Sequence, residues 1–266
     1  MGSCASLLFA VLLAAEPART EAGAPALQGQ NESGGPSVAE PQGGAGVSPV
    51  ELIPRLELRQ SILELGGGNS LHDTTAEIDI QFLDRVLLRY EGALRILTTP
   101  AGQTSGIADA NIKLIAVVAS SPRFVLAAIP GVVLDTASRP QLGAGKQQLI
   151  LGAGAAAKPL RWLLPYLVVA EQVSVGGDEA RPNVNQLSLD VGTIVFGKGQ
   201  SWYKLDLNTV VDFEAGVGRF FGVLEVGRLL IGRVGLFMRA GTQMLGPRQL
   251  DYNVEVGVRY LFRLGT

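Results

Sequence analysis

The chain has 266 residues, 47% of them hydrophobic and 17% charged, with a mean hydropathy of +0.28. That is ample apolar material for one large domain and too much for a disordered chain. Twenty-two basic against 24 acidic residues give a net charge of -2, which excludes the basic surplus that nucleic-acid binding needs; one cysteine (Cys4) and one histidine (His72) exclude disulfide frameworks and thiolate or multi-imidazole metal sites.

The chain opens on an apolar run from Cys4 to Ala15, the length of a secretory core segment and too short to cross a bilayer as a helix. No Lys or Arg precedes it, but small residues at Ala14-Ala15 and Ala22 suit cleavage, so residues 1–22 are expected to be a signal peptide. Gly, Pro, Ala, Ser, Gln and Glu dominate the stretch that follows, which holds almost no large apolar side chain. Such a stretch cannot offset its own ordering entropy, and residues 23–49 are expected to be a disordered Gly/Pro-rich extension.

From residue 50 onward the hydrophobic period becomes two, the signature of strands with chemically different faces. Ile78, Ile80 and Phe82 alternate with Glu77, Asp79 and Gln81. Val86, Leu88, Tyr90, Leu94 and Ile96 oppose Arg85, Arg89, Glu91 and Arg95, and Ile112 and Leu114 oppose Asp109, Asn111 and Lys113. Leu187, Leu189 and Val191 oppose Ser188 and Asp190; Tyr203, Leu205 and Leu207 oppose Lys204, Asp206 and Asn208, with Asp212 further along the same face. The last segment is the cleanest: Tyr252, Val254, Val256, Val258, Tyr260 and Phe262 against Asn253, Glu255, Gly257 and Arg259. In each of these segments every charge falls on one face.

About twelve strands follow by this count, centred near residues 57, 78, 91, 112, 128, 150, 166, 190, 208, 224, 237 and 256. Turn signals punctuate them, among them Gly66-Gly67-Gly68-Asn69, Pro100-Ala101-Gly102, Gly197-Lys198-Gly199 and Gly246-Pro247. A repeat of roughly eighteen residues suits strands of about 9–11 residues plus a turn, the length that crosses a bilayer when tilted. The expected fold is therefore all-β: a closed antiparallel transmembrane β-barrel over residues 50–266. A soluble periplasmic β-sandwich is the competing fold, because it too puts charges on one face. Aromatics near strand ends (Phe82, Phe196, Trp202, Tyr203, Phe213, Tyr252, Tyr260, Phe262) suit the girdles of a membrane barrel and favour it.

Ser105-Gly106-Ile107-Ala108-Asp109-Ala110, then Leu134-Asp135-Thr136-Ala137 and Gln141-Leu142-Gly143-Ala144-Gly145-Lys146, resemble in order three motifs of the outer-membrane family named after the phenol-degradation meta-pathway. Asp135 stands where that family has proline and Ala108 where it has glycine. The family is grouped with porin-like transporters of fatty acids and aromatic hydrocarbons, so the resemblance implies a bacterial outer-membrane location and a passive route for small solutes, apolar or aromatic ones included. The closing Tyr260-Leu261-Phe262 resembles the strand signal by which barrel-assembly machinery recognises its clients, although Arg263-Leu264-Gly265-Thr266 follow it.

In a barrel the charged faces avoid lipid, so the candidate lumen-lining residues are Glu77, Asp79, Arg89, Glu91, Arg95, Asp109, Lys113, Lys204, Asp206, Asp212, Glu255 and Arg259. They either line an open pore or fill a narrow one with ion pairs. A structural barrel that conducts nothing is one alternative. Another is a barrel acyl hydrolase using His72 with Thr74 as nucleophile, a pairing that leaves Asp73 on the wrong face. The expected partners are outer-membrane lipid, the assembly machinery and a small-molecule solute, with no nucleic acid, no metal and no cofactor. Gly143-Ala144-Gly145-Lys146 lacks the spacing of a phosphate loop, since Gln147 follows the lysine.

Overall fold

A computed structural model describes residues 46–262. The expected signal peptide, the extension up to residue 45 and Arg263–Thr266 lie outside the described residues. Thirteen strands follow in chain order: β1 (Arg55–Glu64), β2 (Ser70–Leu83), β3 (Val86–Thr99), β4 (Gly102–Ile107), β5 (Ala110–Ser120), β6 (Phe124–Leu134), β7 (Lys146–Ala157), β8 (Leu163–Gly177), β9 (Asn185–Phe196), β10 (Ser201–Asp212), β11 (Val217–Ile231), β12 (Val234–Leu245) and β13 (Tyr252–Leu261). All twelve expected centres fall inside strands. The extra strand arises because β4 and β5 both pair with β3, at Ile107 opposite Leu94 and Asn111 opposite Glu91, so together they make one crossing interrupted at Ala108-Asp109.

Each crossing pairs antiparallel with its sequence neighbours, and β1 pairs with β13 from Arg55 opposite Leu261 to Glu64 opposite Tyr252. The sheet therefore closes on itself, with β4 alone paired on one side only among the described strands, and the sandwich is ruled out. Closure is what a bilayer demands, because an unpaired backbone amide in hydrocarbon costs several kcal/mol.

The alternation sets which face meets lipid. Along β13, Tyr252, Val254, Val256, Val258 and Tyr260 are exposed outward, while Glu255 and Arg259 turn inward and are buried. Outward rings of Phe82, Phe124, Tyr203 and Tyr260 mark one interface; Phe213 and Tyr252 mark the other. Eight residue steps from Tyr252 to Tyr260, tilted at about 40°, span roughly 20 Å, close to the apolar band of such barrels. Phe196 and Trp202 correct the girdle expectation: Trp202 is fully buried, and Phe196 packs beside it in the interior core.

The two rims differ. At the rim where β1 begins and β13 ends, the connections are short: residues 84–85, 121–123, 158–162, 197–200 and 232–233. At the opposite rim they include 135–145 and 178–184. We call these the terminal rim and the loop rim. Even the short loop-rim turn over 65–69 needs its glycines, for Gly66, Gly67 and Gly68 all have positive φ (75°, 63° and 77°).

The interior is filled unevenly. Twelve strands tilted at about 40° enclose a bore of roughly 24 Å between opposite backbone walls, whereas two facing sheets fill only about 10 Å with side chains. Part of the difference is occupied by chain that precedes the barrel. Val47, Ser48 and Val50 are 2–5% exposed, and Val47 and Val50 join an apolar cluster with Leu87, Ile115, Ile129, Leu164, Ile194, Trp202 and Phe237. A boundary at residue 49 thus cuts through a segment that packs as one piece.

Candidate functional site

The site is the lumen wall, and it is built by cross-strand register. Glu57 on β1 lies opposite Arg259 on β13 and Glu77 on β2; Asp79 lies opposite Arg55 and Arg89; Arg239 on β12 lies opposite Glu225 and Glu255. These neighbours form one belt of five arginines and six carboxylates. Arg89 donates to both oxygens of Asp79 at 2.8 Å, and Arg55 pairs with Glu77 and Asp79. Arg59 reaches Glu57 and Glu77 at 3.1 Å, Glu255 at 3.5 Å, and Glu91. Arg239 donates to Glu225 at 2.5 Å and Glu255 at 2.6 Å, and Arg259 donates from Nε to Glu57 Oε2 at 2.7 Å. Bidentate, multiply bonded pairs are the geometry in which buried charge is tolerated.

Aromatic rings floor the belt. The indole N–H of Trp202 donates to Glu225 Oε1 at 2.6 Å. The Arg259 guanidinium lies 5.3 Å above the Trp202 ring and 4.9 Å above Phe237, and Arg239 lies 4.7 Å above Phe237. Each ring fits because its register partner is glycine, Gly227 for Trp202 and Gly257 for Phe237, where a Cβ would enter the ring plane.

The expected residues are placed as follows. Glu77, Asp79, Arg89, Glu91, Glu255 and Arg259 join the belt. Lys204 and Asp206 form an inward pair at 3.0 Å, with the Lys204 ammonium 5.5 Å over the Tyr166 ring. Lys113 lies on the inner face, in register with Arg89 and Gly131. Arg95 sits higher, toward the loop rim, bidentate to Asp73 at 2.9 and 2.7 Å. Asp212 is at the same rim, accepting from the Ala215 amide at 3.0 Å.

Asp109 differs from the expectation. Its carboxylate accepts the Ala137 amide at 3.1 Å and the Ala144 amide at 2.7 Å, and so organises the connection over 135–145. Arg95 donates to the Leu142 carbonyl at 3.1 Å, and Arg181 donates to the carbonyls of Pro140, Gly143 and Ala144. The motifs that resemble the phenol-pathway family are therefore parts of one clamped loop. His72 and Thr74 share the outer face, where Thr74 donates to Gln60 at 2.6 Å, while Asp73 turns inward to Arg95. No carboxylate of that strand joins them, so the hydrolase arrangement is not assembled.

Belt members outside the expected set are Arg55, Glu57, Arg59, Glu225 and Arg239. Arg55, Glu57 and Arg59 alternate with Leu56 and Leu58, a signal as plain as those in the other segments. Glu225 and Arg239 are lone charges among Val, Leu, Phe and Gly, with too little pattern to set a face.

The facing wall is different in kind. Along β5 to β9 the inward positions include Asn111, Gly131, Gly152, Gly154, Ala170, Gln172 and Ser188, with Lys113 and Asp190 as charges among them and larger apolar side chains toward the terminal rim. Gln172 donates to Gln148, and Asn111 Oδ1 is shielded without a partner among the described residues.

No protein-family model and no curated protein sequence matches the chain. Solved structures do. A NanC porin superposes with a TM-score of 0.60 at 7% identity, covering 77% of this chain and 98% of that one. The COG4313 outer membrane channel from Pseudomonas putida F1 gives 0.60 at 12% identity over 86% and 100%, and a KdgM porin gives 0.55 at 11% over 79% and 99%. At such identities the likeness is one of fold: this chain shares the closed-barrel architecture of these outer-membrane channels and porins.

Proposed function

We propose that the protein is a passive outer-membrane channel for small solutes. The observation that carries this reading is the two-sided lumen: a paired charged belt on one wall faces a wall whose inner side chains, apart from the apolar layer near the terminal rim and the charges Lys113 and Asp190, are mostly short. A bore of roughly 24 Å cannot be filled by short side chains, so the facing wall leaves room beside the belt. A solute moving there experiences the transverse field of the belt, which favours small polar or polarisable molecules and resists large apolar ones. Apolar or aromatic solutes and membership of the phenol-pathway family are the finer reading; the clamped loop with Asp109, Thr136 and Gly143 supports it. The outward Tyr260 and the last strand, which ends at Leu261 just before Phe262, support recognition by barrel-assembly machinery, and the apolar outer band supports contact with membrane lipid.

The test is reconstitution. A heat-modifiable barrel recovered from the outer membrane should give stepwise conductance in planar bilayers. A correctly folded barrel that conducts at no applied voltage, either intact or with residues 46–53 replaced by a Gly/Ser linker, would overturn the channel and leave a structural barrel.

A further inference from the structure

We infer that residues 46–53 are a built-in plug that closes the lumen at the terminal rim and is withdrawn for passage; this rests on the channel reading above. The segment enters at the rim where β1 begins and lies inside the wall. Val47, Ser48 and Val50 are 5%, 2% and 2% exposed. The barrel is shaped to receive it. On the inner face of β7 the side chains shrink from Ile150 to Gly152, Gly154 and Ala156, and a Cβ at position 154 would lie 2.6 Å from Val50 Cγ1. Only glycine leaves that space.

What the plug completes is an apolar disc. Its rim is contributed by β3 (Leu87), β5 (Ile115), β6 (Ala127, Ile129), β8 (Leu164), β9 (Ile194), β10 (Trp202) and β12 (Phe237), with Val47 and Val50 in the same cluster. With Ala156 on β7 and Tyr166 on β8 the layer runs over neighbouring strands around the wall, and Val47 and Val50 are the members that come from inside it. Outside the disc a vestibule of about 1270 Å³ opens at the terminal rim, with Glu51, Leu52, Ile53 and Pro54 among its lining beside Lys158 and Trp162. The seat is incomplete: among the described residues, Glu51 Oε2 is shut from water with no hydrogen-bond partner. An ordinary core would satisfy that oxygen or omit it. A segment that must leave can carry a group that is better solvated outside.

The experiment uses the full chain with Cys4→Ser and Val50→Cys, probed in outer-membrane vesicles by a membrane-impermeant maleimide, alongside bilayer recordings. The plug predicts that the new thiol is protected, and that adding Gly154→Leu, which fills the seat, exposes it. It also predicts a several-fold rise in open time when residues 46–53 are replaced by a Gly/Ser linker. A Val50→Cys/Gly154→Cys bridge should hold the channel shut until it is reduced. Labelling of Val50→Cys as fast as an exposed loop cysteine would overturn the plug whatever the conductance. A protected thiol with unchanged conductance after replacement would overturn its role as the closure while leaving the channel intact. Absence of conductance from every folded variant would instead remove the channel reading, and the plug's role with it.

Discussion

The two walls of this lumen solve the same problem by opposite means. From β11 through β13 to β3, long charged side chains pair along the wall and neutralise one another; along β5 to β9, beyond an apolar layer and the charges Lys113 and Asp190, glycine, alanine and short amides predominate. The difference teaches that a wide barrel need not be filled symmetrically. A belt of multiply bonded ion pairs is stiff, because each charge is held by several partners and loses much if any one departs. A wall of small residues makes no such demand, and it can admit either solute or the chain's own segment. On the channel reading proposed above, stability is concentrated on one wall and passage on the other.

The sharpest way to break this comparison is Arg259→Ala. It takes one cation from Glu57 and Glu225, which keep Arg59 and Arg239, so the loss should lie near the lower end of the about 3–5 kcal/mol that removing one partner of a buried pair costs. The temperature at which the folded band converts to the unfolded one on a denaturing gel should fall markedly. Gln172→Ala on the facing wall should cost no more than about 1 kcal/mol. Equal losses would abolish the distinction between the walls.

Gly227→Ala tests the floor beneath the belt. A methyl there collides with the Trp202 ring, and overpacking of this kind costs about 1–3 kcal/mol. Fluorescence from Trp202, one of two tryptophans, should shift toward that of a wetter indole as it loses Glu225; an unchanged spectrum would show that the ring has room to move.

Asp109→Ala addresses the loop that the facing wall carries at its outer end. Two amides lose a carboxylate acceptor, worth roughly 1.5–3 kcal/mol between charged and neutral groups. The expected result is faster cleavage of the 135–145 connection by proteinase K with the barrel itself unaffected. A protease-resistant loop would mean that Arg181 and Arg95 suffice to hold it.

The smallest effect concerns pH. Burial pushes the Glu51 carboxyl up to about 7 from its ordinary 4.5, against the opposing pull of Lys158, Arg55 and Arg259. The seated segment therefore favours the protonated form. Its contribution is complete below about 4.5 and is lost as pH rises through about 7, so the seat weakens from pH 5 to pH 8. Labelling of Val50→Cys should quicken over that interval, and Glu51→Gln should flatten the dependence. A rate that slows with rising pH would reverse the assignment.

The primary sequence carried most of the wall. Period-two alternation requires that Tyr252, Val254, Val256 and Val258 share one face and Glu255 and Arg259 the other, because successive side chains on a strand must point oppositely. Strand number followed from turn chemistry, and the inward direction of the charges followed from the cost of ions in lipid. Three things were settled only in three dimensions. The alternation of their own strands already places Phe196 and Trp202 on the face of Asp190 and Lys204, but room for the Trp202 ring there depends on Gly227 and its polar partner is Glu225, both on the adjacent strand, and register across strands is invisible along the chain. Asp109 became a loop anchor because residues 135–145, distant in sequence, fold back to its oxygens. Residues 46–49 read locally as the end of a polar extension and Val50, Leu52 and Ile53 as the approach to the first strand, with no period that predicts burial inside the bore. The segment is buried because a closed sheet of this circumference leaves a space that its own inward side chains do not fill.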